Sequence, residues 1–555
     1  MKRNRQQLKN SSNNDNDFRY TPSGIPLKVF YDQEDLAGMD YTQELAHPGE
    51  YPFVRGLFPT GYRHFLWQNA FISGFGLPEQ TNQRQKFLRE KGLSGYGGKA
   101  SINLVCDNPT GDGYDADDPR SRWEVGKTGV SINSMQDMKL LFNGFSLEDT
   151  YISFIIDHSG PVIMGMFIAL ADTLGIDRAK LRGQVNNDPW CRYTGFKSTQ
   201  FLPDSAMKVS VDCIKFCAKE LPHVNAHYVG AYNVRECGIS AVQELGWAVT
   251  NAVEVIRACL KAGMDIDDPA LRFPFFFGIG RDFFEEICKM RAARKIWAHI
   301  IRHEFGAKDK KSWRMKIMVQ NLGSTLTAAE PLNNIGRIAI QAVAAALGGV
   351  QGISTDSYDE ALCIPTDEAV RIAVKTTKII EEEIGIMDVV DPLGGSFFVE
   401  NLTNEMERRV WEYIDKVESE GGALACHKNG YFQKEQNEAI LKSVNDLITG
   451  KRVVVGVNKY VEDEPVTAPT FQWDPSTEEI AIERLRKLRQ ERDNVAVTDT
   501  LKTVRQAASD GGDLMPAYIE AAKAGATLGE IMQQLREIFG VSTADTIPYY
   551  GVPTR

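Results

Sequence analysis

Between residues 101 and 355 the sequence alternates short β-prone runs with longer segments of helical periodicity. The runs predicted as strands are Ser101–Cys106, Thr128–Ile132, Tyr151–Asp157, Gly183–Asn187, Ala226–Tyr232, Phe273–Gly278, Met315–Gln320 and Val350–Thr355. The helical segments between them are long enough for the crossovers that parallel strands require. Eight such units in succession predict an α/β fold of the (β/α)8 TIM-barrel type.

An open, doubly wound sheet is the alternative fold for such a pattern. That fold is expected to carry a Gly-rich phosphate-binding turn directly after its first strand. The Gly-rich stretch Gly95-Tyr96-Gly97-Gly98 precedes the first predicted strand instead of following it. The dinucleotide-binding pattern is therefore in the wrong place, and the sequence favours the barrel.

The chain has 555 residues, which exceeds the size of about 250–300 residues at which a single core stops growing. Residues 1–95 predict an N-terminal extended arm, polar at first and then rich in Pro and Gly. Residues 96–365 hold the barrel pattern, and residues 366–460 predict a helical region packed on the barrel. A Pro-rich, charged stretch then predicts a linker, so residues 461–555 form a linker and a C-terminal helical extension.

Charge and composition argue against several classes of partner. Asp and Glu number 74 against 63 Lys and Arg, and no basic stripe is visible, so a nucleic-acid surface is not expected. No apolar run approaches the ~18 residues of a membrane span, and the polar start has no signal-peptide core. We therefore expect a cytoplasmic protein. The nine cysteines are scattered and form no Cys-x-x-Cys pair, which favours reduced thiols.

Polar residues end most of the predicted strands. They are Asp107, Asp157-His158-Ser159, Asn186-Asn187-Asp188, Tyr232-Asn233, Gln320-Asn321 and Thr355-Asp356. Because active sites of TIM barrels lie at the carboxyl ends of the strands, these residues together predict a polar pocket there. They contain no Ser/His/Asp order and no metal-ligand cluster, and His299 and His303 lack the Glu of a zinc-protease helix. Hydrolytic and metal chemistry are not expected.

Several ordered motifs carry a resemblance to a known family. They are Gly113–Arg120, Leu271–Gly280, Lys289–Arg294, Ser357–Ala361, Asp391–Ser396, Gly456–Tyr460 and Ala526–Ile531. In this order, over roughly residues 50–540, the chain resembles the large, substrate-binding subunit of the methylmalonyl-CoA mutase family. The resemblance extends to family members such as the 2-hydroxyisobutyryl-CoA and isobutyryl-CoA mutases.

The resemblance implies an isomerase that rearranges the carbon skeleton of an acyl-CoA by adenosylcobalamin-dependent radical chemistry. In the family the CoA tail threads the barrel axis past the N-terminal segment, and cobalamin covers the strand ends. The family's cobalamin domain carries Asp-x-His-x-x-Gly, and no histidine of this chain has Asp two residues before it. The resemblance therefore implies a separate small cobalamin-binding subunit and a hetero-oligomer.

The resemblance also implies a set of site residues. Glu236 and Glu360 match acids placed against the adenosyl group, and Tyr232 matches an active-site tyrosine. The positions that match the pocket, the cofactor and the CoA path are Thr60, Ser153, Arg272, Gln320 and Gln351.

Four positions depart from the family's substrate-selecting residues. Ile72 replaces a Tyr, Asn186 a Gln, Asn233 a His, and Phe196, next to Lys197, the Arg that binds a carboxylate. A buried carboxylate needs a charged donor, so these changes predict a neutral branched or hydroxylated acyl group.

Ile72 resembles the residue of the 2-hydroxyisobutyryl-CoA mutases, although the acid that those enzymes place near the substrate hydroxyl aligns with Val105. Asn233 or His158 is the candidate for the lost hydrogen-bond donor. Methylmalonyl-CoA or a larger alkylsuccinyl-type substrate, received by Lys197, stays an alternative. A non-catalytic acyl-CoA-binding scaffold is the alternative of another class.

Overall fold

The structure is a computed structural model that describes residues 19–69, 71–91, 100–195, 200–270, 272–462 and 468–542. Its strands are β1 Arg19–Tyr20, β2 Pro26–Leu27, β3 Gln68–Asn69, β4 Ala100–Val105, β5 Thr150–Ile155, β6 Arg182–Val185, β7 Gln200–Phe201, β8 His223–Asn225, β9 Val229–Gly230, β10 Pro274–Ile279, β11 Lys316–Asn321, β12 Gly352–Ser354 and β13 Val541–Ser542. Two parallel sheets form the centre, in the orders β4-β5-β6-β8 and β3-β12-β11-β10-β9.

The two sheets continue into each other at both edges. On one side β8 and β9 follow one another along the chain, β8 pairing with β6 and β9 with β10. On the other side β3 pairs with β12, and Ser73, a few residues further on, forms a parallel bridge with Leu104 of β4. Because β8 and β9 together make one strand of the ring, the chain runs round a ring of eight parallel strands, and the predicted (β/α)8 barrel is confirmed.

One predicted strand is wrong, and one barrel strand was missed. Thr128–Ile132 forms no strand, since Val130 makes only isolated bridges with Gly76 and Cys106. A Cβ added at Gly129 would lie 2.1 Å from the carbonyl carbon of Cys106, so this run packs as a close backbone contact. The first barrel strand is β3, which is short and polar. The predicted strand Ala226–Tyr232 is also too long, because a helix begins at Ala231.

Helices cover the outside of the barrel and continue after it. The α-helices are Pro78–Glu90, Asn108–Asp112, Met135–Leu141, Gly160–Thr173, Cys191–Gly195, Pro203–Glu220, Ala231–Glu236, Ala241–Lys261, Asp267–Ala270, Phe283–His299, Asn333–Leu347, Asp367–Glu382, Phe397–Ser419, Ala423–Asn429, Tyr431–Ile448, Ser476–Glu491, Asn494–Asp510, Leu514–Ala524 and Leu528–Phe539. Short 3-10 or π turns are Gln33–Leu36, Tyr41–Leu45, Gly61–Arg63, Pro119–Ser121, Asp157–Ser159, Arg178–Lys180, Ile300–Glu304 and Gly323–Thr325.

The hydrophobic core lies between the barrel strands and these helices. Phe275 of β10 points outward, and its ring centroid is 4.8 Å from that of Trp297 on the helix Phe283–His299. Ile102 and Leu104 of β4 and Phe154 of β5 belong to the same buried cluster. Because side chains alternate along a strand, the residues between these apolar positions face the barrel axis.

The C-terminal helices are part of the same packed body. A Cβ added at Gly165 would lie 2.9 Å from Cβ of Tyr518, so only glycine allows Leu514–Ala524 to approach Gly160–Thr173 this closely. Asp115 accepts hydrogen bonds from the Thr527 hydroxyl at 2.6 Å and from the Gly529 amide at 2.7 Å. These contacts hold the predicted C-terminal extension against the barrel. The division of the chain at residues 95, 365 and 460 stays a prediction.

Candidate active site

The barrel axis is lined by small and polar side chains. Strand register places Asn103, Ser153, Gln184 and Asn225 in one row across β4, β5, β6 and β8. On the other half of the ring, Gly278, Gln320 and Ser354 form a second row. TIM barrels usually fill their axis with layers of Val, Ile and Leu. This barrel instead has a polar lumen.

Several buried polar atoms of the lumen have no hydrogen-bond partner in the described protein. They include Oγ of Ser101 and of Ser153 and Nε2 of Gln68, in side chains that are no more than 3% exposed. Buried polar groups in proteins are almost always paired, because an unpaired one costs about 1–3 kcal/mol. The lumen is therefore suited to a long ligand that brings its own polar groups. A CoA thioester, whose tail carries amides, has this chemistry.

An acidic group surrounds the carboxyl end of the lumen. Glu236 accepts hydrogen bonds from the amides of Gly323, at 2.6 Å, and Ser324, at 3.0 Å. Glu360 lies beside the same turn, since a Cβ added at Gly323 would be 3.5 Å from its Oε1 and 3.6 Å from Oε1 of Glu236. Asp356 accepts from Nε2 of Gln320 at 2.7 Å, and its other oxygen has no partner in the described protein.

The proximity of these acids favours their neutral forms. Burial, and then the charges of Glu236 and Asp359, raise the pKa of Glu360 to about 7. Burial and the charge of Glu360 raise the pKa of Asp356 well above its ordinary value, although the hydrogen bond from Gln320 opposes this. Near neutral pH the mouth therefore holds carboxyl groups that donate as well as accept hydrogen bonds.

A stability measurement checks this assignment for Glu360. A carboxyl whose pKa is raised in the folded protein stays protonated while the unfolded chain ionises, so stability falls as pH rises from about 4.5 to about 7. We expect Glu360→Gln to remove part of that fall, measured as urea midpoints at pH 5 and pH 7.5. Glu368→Gln, at an exposed position on the next helix, is the matched control and should keep the wild-type slope. Equal slopes for both variants would contradict the assignment.

Tyr232 joins the acidic group from the helix Ala231–Glu236. Its hydroxyl donates to the Asn321 carbonyl at 3.4 Å, and its ring lies 5.3 Å from that of Phe276, which faces the axis. Burial and the charges of Asp356, Glu236 and Glu360 raise the pKa of Tyr232 well above its ordinary value. The hydroxyl therefore remains a proton donor at the mouth.

A buried group of four charged side chains fixes the helix that carries Tyr232 and Glu236. After Phe276, the edge of β10 that pairs with β9 has no strand beside it, because the chain leaves β9 at Gly230 and enters this helix. Glu244 accepts from the free Gly278 amide at 2.7 Å, and Lys289 donates to the Gly278 carbonyl at 2.6 Å. Two side chains thus replace the missing strand.

The same four side chains, Arg235, Glu244, Glu286 and Lys289, pair with one another. Nζ of Lys289 lies 2.6 Å from Glu244 and 2.5 Å from Glu286, and Arg235 lies 3.2 Å from Glu286. None of these side chains is more than 10% exposed. Although burial opposes it, Lys289 and Arg235 hold the pKa of Glu286 below its usual value. We call this group the buried quartet; sequence reasoning missed it.

The predicted donors of the acyl pocket lie together at the carboxyl ends of β6 and β9. Asn233 donates from its amide to Sγ of Cys191 at 2.9 Å. Asn186 is 1% exposed, and neither polar atom of its amide has a hydrogen-bond partner of good geometry in the described part of the chain, although its side chain lies near Tyr228. Burial and the charge of Asp188 raise the pKa of Asp157, in the same cluster, to about 7. These groups offer a substrate neutral donors and acceptors.

His158 and Ile72 differ in what they can reach. The His158 ring packs against Phe201 with centroids 4.4 Å apart, and burial, then Arg536 and Arg192, lower its pKa well below the usual value. It is a neutral, buried ring outside the acidic group.

Ile72 alternates with Phe71, whose ring packs on the outer helices, so Ile72 faces the axis. Phe196 and Lys197 lie outside the described residues.

The remaining predicted residues lie at the amino-terminal end of the barrel. Arg272 precedes β10 and donates to the carbonyls of Pro222 and Val224, at 3.1 and 3.3 Å. Gln351 precedes β12, and its side-chain oxygen Oε1 accepts a hydrogen bond from the Ile317 amide at 2.9 Å. Thr60 is exposed beside a cavity that Gly61, Tyr62 and Gln351 line.

Cations also collect at this end, since Arg182 and Lys316 begin β6 and β11. Burial and the charge of Arg272 lower the pKa of Lys316. The predicted cofactor set therefore divides. Glu236, Glu360 and Gln320 lie at the carboxyl end, Ser153 lies along the lumen, and the other three lie at the amino-terminal end. A CoA tail carries phosphates, which these cations are suited to receive.

Comparisons with known proteins agree with this geometry. The family model described as methylmalonyl-CoA mutase matches residues 20–541. The 2-hydroxyisobutanoyl-CoA mutase large subunit of Aquincola tertiaricarbonis is 37% identical over 523 residues, which cover 94% of this chain and 92% of that protein. The methylmalonyl-CoA mutase of Cereibacter sphaeroides is 36% identical over 534 residues, 96% of this chain and 74% of that protein. The methylmalonyl-CoA mutase large subunit of Streptomyces virginiae is 34% identical over 527 residues, with shares of 94% and 71%.

Together with the barrel and its polar lumen, these similarities define the protein as an isomerase of the acyl-CoA mutase class. The chain belongs to the methylmalonyl-CoA mutase family, and the resemblance seen in its motifs is confirmed. Membership implies dependence on adenosylcobalamin and CoA-thioester substrates. None of the helices in the described ranges is long and apolar enough to span a membrane.

Proposed function

We propose that this chain is the large, substrate-binding subunit of an adenosylcobalamin-dependent mutase for a branched or hydroxylated acyl-CoA. The observation that carries the proposal is the polar lumen, in which Oγ of Ser101 and of Ser153 and Nε2 of Gln68 have no hydrogen-bond partner among the described residues. It leads from the cations at the amino-terminal end to the acidic group at the carboxyl end. A CoA thioester that fills it places its acyl group beside Asn186, Asn233 and Ile72.

The residues at the mouth fit the cofactor that the family uses. Glu236, Glu360 and Asp356 would hold the hydroxyl groups of the adenosyl moiety, and the unpartnered oxygen of Asp356 offers one such contact. When bound, adenosylcobalamin supplies the radical that the rearrangement needs. The chain itself excludes water, orients the acyl group against the mouth and keeps the Tyr232 hydroxyl protonated.

The charges of the acyl pocket support a neutral substrate. The titratable side chains of its described part include Asp157, Asp188, Cys191, Tyr228 and Tyr232, which are acidic or weakly acidic. The cation that acts on Asp157 and Cys191 is Arg192, which already forms an ion pair with Asp112 at 2.9 Å. The described cations of the axis, Arg182 and Lys316, lie at the opposite end. A free carboxylate placed here would be buried without a partner and repelled by Asp188, at a cost of several kcal/mol.

We further propose that a separate small subunit carries the cobalamin. Two relatives bear the printed name "large subunit", which supports a division of the enzyme into two chains. No histidine of this sequence stands in an Asp-x-His-x-x-Gly motif. The small subunit would cover the carboxyl end of the barrel and complete a hetero-oligomer.

The proposal is tested by reconstitution. The purified chain, its co-expressed small subunit and adenosylcobalamin are expected to isomerise isobutyryl- or 2-hydroxyisobutyryl-CoA, followed by separation of the acyl-CoA products. Glu236→Gln is expected to keep acyl-CoA binding and to lose turnover. Binding without turnover in the wild type would instead favour an acyl-CoA-binding scaffold, and absence of binding would reject both functions.

A further inference from the structure

Three arginines that the proposed reaction does not use lie beside the mouth of the barrel. Arg281 donates to the carbonyl of Thr325, in the turn whose amides bind Glu236. Arg337 donates to the Thr327 hydroxyl at 2.8 Å, and Arg452 donates to the Ser443 hydroxyl at 3.1 Å. All three guanidinium groups are thus bonded to neutral oxygens.

Two of these arginines, Arg337 and Arg452, repel the third, Arg281, and none of the three has an ion-pair partner among the described residues. Burial and the charges of Arg452 and Arg337 lower the pKa of Arg281 to about 10. In the described part of the chain, none of the three makes an ion pair. Two acids have charges that raise the pKa of these arginines, namely Glu330 for Arg337 and Asp446 for Arg452. Asp446 is already paired with Lys442 at 2.8 Å.

An exposed apolar strip adjoins the arginines. On the helix Tyr431–Ile448, Leu441, Val444 and Ile448 are 67%, 50% and 79% exposed and share one face, at a spacing of three and four residues. The loop that follows is tied to the cluster, because Arg337 donates to the carbonyl of Val455, itself 45% exposed, at 2.8 Å. Contiguous exposed apolar surface of this kind marks interaction sites.

This surface borders the acidic group of the active site. A Cβ added at Gly238, two residues after Glu236, would lie 3.8 Å from Cα of Ile440 on the helix that carries the strip. The charge of Arg452 also acts on Arg281, which holds the turn at Thr325. We call Arg281, Arg337, Arg452, Leu441, Val444 and Ile448 together the arginine face.

We propose that the arginine face is the docking surface for the small cobalamin-binding subunit, which meets it with carboxylates flanked by apolar side chains. The inference rests on the proposed function, in which a second chain must cover the mouth that this face borders. Carboxylates from a partner would neutralise three cations that form no ion pair within the described part of this chain. The complementarity is local, because the chain as a whole carries a net charge of −11.

Titration of the purified chain with the small subunit, followed by calorimetry, tests the inference. Arg452→Glu and Leu441→Asp are each expected to raise Kd at least about tenfold, since one reverses a docking charge and the other buries an unpaired charge. The matched controls Lys180→Glu and Leu174→Asp change side chains that are 58% and 55% exposed near the amino-terminal end. They are expected to bind with the Kd of the wild type. Because charges contribute to the proposed interface, the wild-type Kd is also expected to rise with salt concentration.

The outcomes separate the two claims. Weaker binding by the two face variants, with unchanged controls, supports the docking surface. Equal binding by all four variants would overturn it while the proposed function stands. An isolated wild-type chain that is a dimer, split by Leu441→Asp, would assign the face to a second copy and overturn the inference. A wild type that binds no small subunit would reject the two-subunit enzyme itself.

Discussion

Lys289→Met is expected to lower the free energy of unfolding by about 3–5 kcal/mol. Lys289 is fully buried, and its loss leaves Glu244 and Glu286 sharing the single charge of Arg235. It also removes the donor that satisfies the Gly278 carbonyl. Urea denaturation measures the change. Lys378→Met is the matched control, since Lys378 pairs with Glu381 at a site where its side chain is 37% exposed, and it should cost no more than about 1 kcal/mol.

A second substitution separates lost charge balance from lost packing. Adding Glu244→Gln to Lys289→Met leaves Arg235 paired with Glu286 and keeps an oxygen that accepts from the Gly278 amide. The double variant is therefore expected to recover part of the stability. A double variant less stable than Lys289→Met alone would show that the buried quartet does not act through charge balance.

Ser153→Leu is expected to abolish acyl-CoA binding without loss of stability. The substitution removes a buried hydroxyl that has no partner and fills the lumen with the kind of side chain that other TIM barrels place there. We expect Kd for the acyl-CoA to rise at least about 100-fold, which corresponds to about 3 kcal/mol. Thermal unfolding should show an unchanged or higher Tm.

Ser153→Ala serves as the control, because it removes the same hydroxyl and leaves the lumen open. Its Kd is expected to stay within about fivefold of the wild type, since a single neutral hydrogen bond contributes about 1 kcal/mol. If Ser153→Leu binds acyl-CoA as well as Ser153→Ala, the substrate does not occupy the lumen.

Periodicity was enough to predict the barrel but not the identity of every strand. The apolar positions of β10, such as Phe275 and Phe277, pack outward on the helices, so the strand is visible as a continuous apolar run. The first strand, Gln68–Asn69, is short and polar because its inward residue lines a polar lumen. Val130 stands in an equally β-prone run, yet Gly129 lets that run pack as a backbone contact outside the ladder.

The candidate site was predictable only where the type and position of a single residue in the sequence indicate its role. Polar residues at strand ends, such as Asp356 and Asn186, pointed to the mouth of the barrel. The buried quartet was not predictable, because Glu244 and Lys289 lie on two different helices, 45 residues apart in sequence, and meet only in the folded chain. The opposite charges of Glu286 and Lys289, three residues apart on the helix Phe283–His299, were the local sign of it. The replacement of an Arg by Phe196 and the alternative role of Lys197 in receiving a carboxylate stay predictions, because those residues lie outside the described structure.

The most direct test of the account compares two substrates. With adenosylcobalamin and the small subunit, kcat/KM is measured for 2-hydroxyisobutyryl-CoA and for methylmalonyl-CoA. We predict that the neutral acyl group is preferred by at least about 100-fold, because the cation beside the described acyl pocket, Arg192, is already paired with Asp112 and burying an unpaired carboxylate costs several kcal/mol. A preference for methylmalonyl-CoA would contradict the account and would assign the substrate carboxylate to Lys197.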